Sequence, residues 1–196
     1  ANELVLNDKV NVLAGFGLTP LALSVAPVAT KSKTPMVVMV AATSKVIDAS
    51  PYIVRSSFTM PQTVAGIAKW APKNGIKTIV TLVADYAPGL ETEAAVIKSF
   101  TESGGKVVES LRIPLNNPDF APILQKVIDR KPDAVFAFFN PAYAVTAMKQ
   151  MEERGLRKAG IKVIGLGDMV ADDVINNMGD VALGVYTSHH YSAAHP

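Results

Sequence analysis

Thr78-Ile79-Val80-Thr81-Leu82-Val83-Ala84-Asp85-Tyr86-Ala87-Pro88-Gly89 decides how this chain folds. Thr78–Val83 is a run of apolar and β-branched residues and predicts a strand. The amphipathic stretch Gly89–Ser103 predicts a helix, which Gly104-Gly105 can end in a left-handed turn. Val107–Ile113 predicts the next strand. Strand, helix and strand repeat over roughly 25–30 residues, the span of a right-handed crossover between parallel strands.

The same alternation runs outward in both directions. Further strands are predicted at Val10–Ala14, Met36–Val40, Ala134–Phe138, Val163–Gly165 and Val185–Ser188. Helices are predicted near Pro20–Lys31, Pro61–Lys73, Pro118–Arg130, Ala142–Gly155 and Asp172–Met178. Thr19-Pro20 and Asn117-Pro118 each set a capping side chain before a proline suited to the first helical turn. Strands this apolar suit a parallel sheet covered on both faces, so the fold class is α/β. From Ala41 to Phe58 the periodicity breaks around a short Tyr52-Ile53-Val54 run, which suits a crossing between two lobes. Residues 1–54 then form part of an N-terminal lobe and 55–186 most of a C-terminal lobe. Residues 187–196 head back toward the first lobe as a hinge return.

Composition narrows the function. Apolar residues make up 49% of the 196, ample for a core. With 19 basic and 17 acidic residues, no concentrated basic face argues for nucleic acid. The absence of cysteine removes thiol nucleophiles, disulfides and thiolate metal sites. No uninterrupted apolar run approaches the ~18–20 residues of a membrane span. The opening Ala1–Lys9 stretch reads like the tail of a helix already under way, so the chain is expected to be a fragment.

Ligands of open parallel sheets sit beyond the carboxyl ends of strands, where loops meet helix starts. After the first strand, Gly15-Phe16-Gly17-Leu18-Thr19-Pro20 presents a glycine-containing turn, a hydroxyl and a helix start. That is a suitable place for a carboxylate, although Thr19 taken alone reads first as the cap of its own helix. Pro20 stands where a dinucleotide fingerprint needs its third small residue, and no acidic residue follows the next strand. A P-loop is absent. The second exit, Ala41-Ala42-Thr43-Ser44, offers small residues, open backbone groups and hydroxyls. Other exits offer Tyr86, the Phe136–Asn140 segment and Asp168. Phe136 and Phe138 read as core strand residues, and Phe139 as a residue suited either to core or to ligand. His189-His190 cannot set both rings on one side of a strand, and no carboxylate near them has spacing suited to a metal. No Gly-x-Ser-x-Gly elbow occurs. Asp133 reads as preceding its strand at the end away from the site, and Trp70 as packing. An enzyme acting on a small acid would have to rely on Asp168 and Tyr86 as acid–base groups.

Taken in order, several segments resemble the periplasmic solute-binding proteins of branched-chain-amino-acid-type ABC importers. They are Asp8–Gly15, Thr34-Pro35-Met36 leading to Ala41-Ala42-Thr43, Tyr52–Arg55 and Asp85-Tyr86. Asn117–Phe120, Lys131–Val135 and Gly179–Tyr186 complete the set. The resemblance implies a two-lobed type 1 periplasmic-binding-protein-like fold, with parallel sheets flanked by helices and joined by a hinge. It implies no enzyme activity, cofactor or metal, but a small carboxylate ligand and a membrane permease as partners, with a periplasmic location. It further implies that the family's first elements and a C-terminal portion lie outside this chain. Ligand contacts matched by position to the family are Thr19, Ala41, Ala42, Thr43 and Tyr86; Gly17, Leu18, Phe139, Asn140 and Asp168 join them as candidates from their places at the strand exits. Two departures stand out: Asn140-Pro141 replaces a Tyr-Tyr pattern, and the acid falls at Asp168, one place later than in the family. An aromatic acid thereby joins hydrophobic amino acids as a candidate ligand, and a sensor domain of the same fold remains an alternative to a transport component.

Overall fold

The computed structural model describes residues 1–139 and 141–191. They form two compact units, one ending at Met60 and one beginning at Pro61.

The first unit contains α1 (Asn2–Leu6), β1 (Leu13–Gly15), α2 (Thr19–Ser32), β2 (Met36–Val38) and β3 (Ile53–Arg55). The three strands pair in parallel in the order β1-β2-β3, with Leu13, Met36 and Ile53 in register. Ala22, Ala26 and Ala29 of α2 are buried at helical spacing and pack with Leu13, Met36 and Val38. Small side chains there let the helix backbone lie close to the sheet.

Here the sequence expectation is corrected. The Ala41–Phe58 stretch is not a crossing out of the unit: it holds a 3-10 helix, Ser44–Ala49, and then β3. Ser50 ties it down, its buried hydroxyl accepting from the Thr30 hydroxyl at 2.7 Å and from the Tyr52 amide at 3.1 Å. The Met36 amide donates to the Tyr52 carbonyl, and Ile53 joins the core. A strand this short carries its evidence in pairing partners far along the chain, so the first unit runs to Met60 rather than to residue 54.

The second unit holds α3 (Met60–Lys73) from Pro61 onward, β4 (Thr78–Ala84), α4 (Ala87–Glu102), β5 (Lys106–Ile113) and α5 (Ala121–Arg130). It continues with β6 (Ala134–Phe138), α6 (Ala144–Glu153), β7 (Lys162–Leu166), α7 (Asp172–Ile175) and β8 (Tyr186–Ser188). The strands are parallel in the order β5-β4-β6-β7-β8. The two central strands are buried almost throughout, as a sheet covered on both faces requires. Thr187 and Ser188 pair with Gly165 and Leu166, and the Ser188 hydroxyl donates to the Thr63 carbonyl of α3 at 2.6 Å. These two residues therefore belong to the second sheet and not to a hinge return; the remainder of that expected segment beyond Tyr191 lies outside the described residues. Trp70 packs against the Tyr186 ring, with centroids 4.9 Å apart.

Helix starts were the least legible feature. α5 begins at Ala121, not at Pro118, because Phe120 drops into the core first and the Asp119 carboxylate accepts the Ala121 amide. Pro141–Tyr143 forms a 3-10 turn before α6, and α7 stops at Ile175. The stop after α4 matches expectation, with Gly104 at positive φ, and α3 is followed in the same way by Gly75.

Asp133 locks the starts of β4 and β6 together. Its Oδ2 accepts from the Lys77 and Thr78 amides, both at 2.8 Å, and from the Thr78 hydroxyl at 2.9 Å. Partial burial pushes its pKa up, but these bonds and the Lys162 charge outweigh that and hold it below its ordinary value. Asp133→Asn should cost about 1 kcal/mol, a charged-acceptor contribution discounted for exposure. Because the folded pKa is depressed, the contribution is present above the unfolded carboxylate range and fades as pH falls through the folded value. Urea melts of parent and variant should therefore differ at neutral pH and converge in acid.

Candidate functional site

In the first unit, the turn after β1 and the exit of β2 are stitched together by backbone bonds. The Met39 amide donates to the Gly15 carbonyl at 2.8 Å and the Ala41 amide to the Phe16 carbonyl at 2.9 Å. Gly15 and Phe16 carry the left-handed φ values of this turn, 125° and 71°, so the chain reverses before Gly17. Leu18 is the extended N-cap of α2, which has no side-chain cap. Thr19 is the first helical residue, and its hydroxyl does not cap the helix: it meets the Thr43 hydroxyl, 24 positions along the chain, at 2.8 Å. Thr19 is 1% exposed and Thr43 half-buried.

The Thr43 segment is itself braced. The Arg55 guanidinium at the end of β3 donates to the Thr43 carbonyl, and the Met60 amide donates to the Ala42 carbonyl at 3.0 Å. Ala41 and Ala42 are buried. The expectation of open backbone groups on this segment is therefore corrected in part, since the Ala41 amide and the Ala42 carbonyl are engaged within the unit. Arg55 went unmarked as a contributor, and only its pairing to a residue 12 positions away reveals it.

In the second unit, Tyr86 is the extended N-cap of α4 and stands at the carboxyl end of β4. Its ring stacks on Phe138 at the end of the neighbouring β6, with centroids 6.2 Å apart and planes 8° from parallel. Burial pushes the Tyr86 phenol up to about 12, with Asp168 adding to the effect. At neutral pH it is a hydrogen-bond donor and not a base.

Asp168 follows β7 and is also half-buried. Burial raises its pKa, opposed by His189 and His190. The His189 Nε2 lies 3.4 Å from Asp168 Oδ1. The two histidines fall beyond the last residue of β8, free of strand alternation, and their rings lie 4.4 Å apart. The expectation that alternation separates them is thus corrected, and a carboxylate from β7 does reach His189.

Phe139 must be reassigned. It is 2% exposed and packs edge-on against Phe120, with centroids 5.6 Å apart, inside the core between sheet and α5. Consecutive strand residues point to opposite faces, so placing Phe138 beside Tyr86 sends Phe139 inward. Phe138 is a buried strand residue, as expected, and its ring also meets Tyr86. Asn140 lies outside the described residues.

The strand exits thus carry hydroxyls at a helix start in the first unit, and a stacked aromatic pair and a half-buried acid in the second. The periplasmic binding protein family matches residues 1–195. The Leu/Ile/Val-binding protein homolog 6 of Brucella suis biovar 1 (strain 1330) is 43% identical over all of this chain and 50% of its own length. A solute-binding protein of an ABC transporter from Rhodopseudomonas palustris BisB5, solved with 3,4-dihydroxybenzoic acid, is 56% identical with a TM-score of 0.95. It is covered over 54% of its length by all of this chain. Another from R. palustris, solved with 4-hydroxybenzoate, is 41% identical with a TM-score of 0.94, all of this chain covering 53% of it. The chain thus spans about half the length of the relatives it matches. With two parallel sheets flanked by helices and a match from its first residue nearly to its last, the chain belongs to the periplasmic binding protein family.

Proposed function

We propose that this chain is part of the solute-binding component of an ABC importer, working in the periplasm and handing its solute to a membrane permease. Its ligand is a small aromatic carboxylate. The observation that carries this reading is the Thr19–Thr43 hydroxyl pair at the uncapped start of α2. Two hydroxyls that share one bond retain a second hydrogen, and the more exposed Thr43 is placed to give it to a carboxylate. Hydrogen bonds to a charged group contribute about 1.5–3 kcal/mol each. The Tyr86–Phe138 stack supplies a flat wall for a ring, where aromatic contact adds about 0.5–1.5 kcal/mol beyond its buried area. In this reading the ligand is retained because the form that closes on it binds better than the open one. The ligand is released chemically intact.

The solved relatives holding hydroxylated benzoic acids support the aromatic class. The name of the Brucella relatives favours a second reading, a branched-chain amino acid, for which Asp168 would meet the ammonium group. A thermal-shift screen of the full-length protein decides between them. At ligand concentrations near 100 Kd, binding adds about 2.7 kcal/mol and raises the melting temperature by several degrees. Aromatic acids should produce that rise, with leucine, isoleucine and valine producing none. The reverse pattern would establish the amino-acid reading instead.

A further inference from the structure

Asp168 is an expensive residue to leave beside an aromatic wall. Its side chain is 35% exposed, and it follows directly on Gly167 at the end of β7. The His189 ring crowds Gly167 so closely that a Cβ there would lie 2.5 Å from the imidazole. Any side chain at position 167 would displace the ring, so the glycine is what lets His189 approach the acid. The imidazole is held on its other edge, where Nδ1 lies 3.2 Å from the Tyr191 carbonyl. His189 thus addresses Oδ1 of Asp168, while about a third of the acid's side-chain surface stays open. Tyr86 stands near this acid, because β7 pairs beside β6, whose last residue Phe138 stacks on the Tyr86 ring.

A ring laid against Tyr86 strips water from this carboxylate. An unsubstituted ring returns nothing for that loss, whereas a ring bearing a hydroxyl replaces the lost water with a charge-assisted bond. A site built to accept a hydroxyl hydrogen rejects the analogue lacking it, because its own buried polar group is left unpaired. We infer that Asp168, positioned by His189 across Gly167, is the specificity-determining acceptor for a phenolic hydroxyl, so that the site selects hydroxylated aromatic acids over the unsubstituted acid. This rests on the aromatic-carboxylate reading above and deepens it. It also assigns a use to the acid's displaced position and to a histidine pair that the sequence alone left without a task.

The test is calorimetric titration of the full-length protein with 4-hydroxybenzoate, 3-hydroxybenzoate and benzoate. The parent should bind at least one hydroxybenzoate about tenfold or more tighter than benzoate, the worth of one hydrogen bond to a charged group. In Asp168→Ala that ratio should collapse toward one. Asp168→Asn, which keeps the shape and guards against a folding defect, should give an intermediate ratio. His189→Gln should lower the ratio as well, since a purely structural role would weaken all three ligands alike. A parent that does not discriminate, or a ratio that survives in Asp168→Ala, overturns the inference while leaving an aromatic site standing. Failure of all three acids to bind the parent overturns the aromatic reading itself and this inference with it.

Discussion

Valine at position 19 is expected to weaken capture of an aromatic carboxylate about thirtyfold, and Thr43→Val by a similar factor. Valine matches threonine in shape, so the buried site of Thr19 is filled and the loss is chemical: the 2.8 Å hydroxyl pair is broken. A thirtyfold loss corresponds to about 2 kcal/mol, within the range for a hydrogen bond to a charged acceptor. The double variant should lose about a hundredfold, well short of the product of the two single losses, because the hydroxyls act through one shared bond. Titration calorimetry on the full-length protein measures all three. Single-variant affinities within about threefold of the parent would remove the pair from the site, and strictly additive losses would show that the two hydroxyls work separately.

The second large effect concerns the helix start that presents Tyr86. Gly89 lies in the first turns of α4, where an added Cβ would stand 1.8 Å from the Ala84 carbonyl oxygen and 2.9 Å from its carbon. Backbone at the end of a central strand cannot move aside as a flexible side chain can. Gly89→Ala must therefore tilt α4 away from β4. The cost should reach about 3 kcal/mol, the upper end for overpacking. For a unit of this size that lowers the melting temperature by about 10 °C. Because Tyr86 is the N-cap of the same helix, the tilt should also separate its ring from Phe138 and weaken aromatic binding. Gly17→Ala is the control: its added Cβ meets nothing within 4 Å, and stability should stay within about 0.5 kcal/mol of the parent. Equal melting temperatures for the two variants would show that the close approach of α4 to β4 is not required.

Asp133, outside the proposed site, shows how far a single sequence can be taken. Its place before β6, away from the strand exits, is readable from Pro132-Asp133 preceding an apolar run. That it also grips Lys77 and Thr78 is not, because those residues stand 56 and 55 positions away. Thr19 and Thr43 lie on the same boundary. Each was marked by its position after a strand, but whether Thr19 caps its own helix or joins Thr43 depends on the parallel pairing of β1 with β2.

The alternation of apolar runs with amphipathic stretches, punctuated by glycine stops, was enough to determine an α/β fold of parallel strands and the strand ends that carry the candidate ligand groups. Tertiary structure decided what local pattern does not encode. Ala134–Phe138 is buried on both faces, so its sequence shows no alternation and cannot tell which phenylalanine meets Tyr86 and which fills the core. Ile53–Arg55 becomes a strand only because β2 offers it an edge, and His189 reaches Asp168 only because β8 pairs beside β7. In each case the deciding interaction joins residues distant in sequence, where the physics of the local chain is silent.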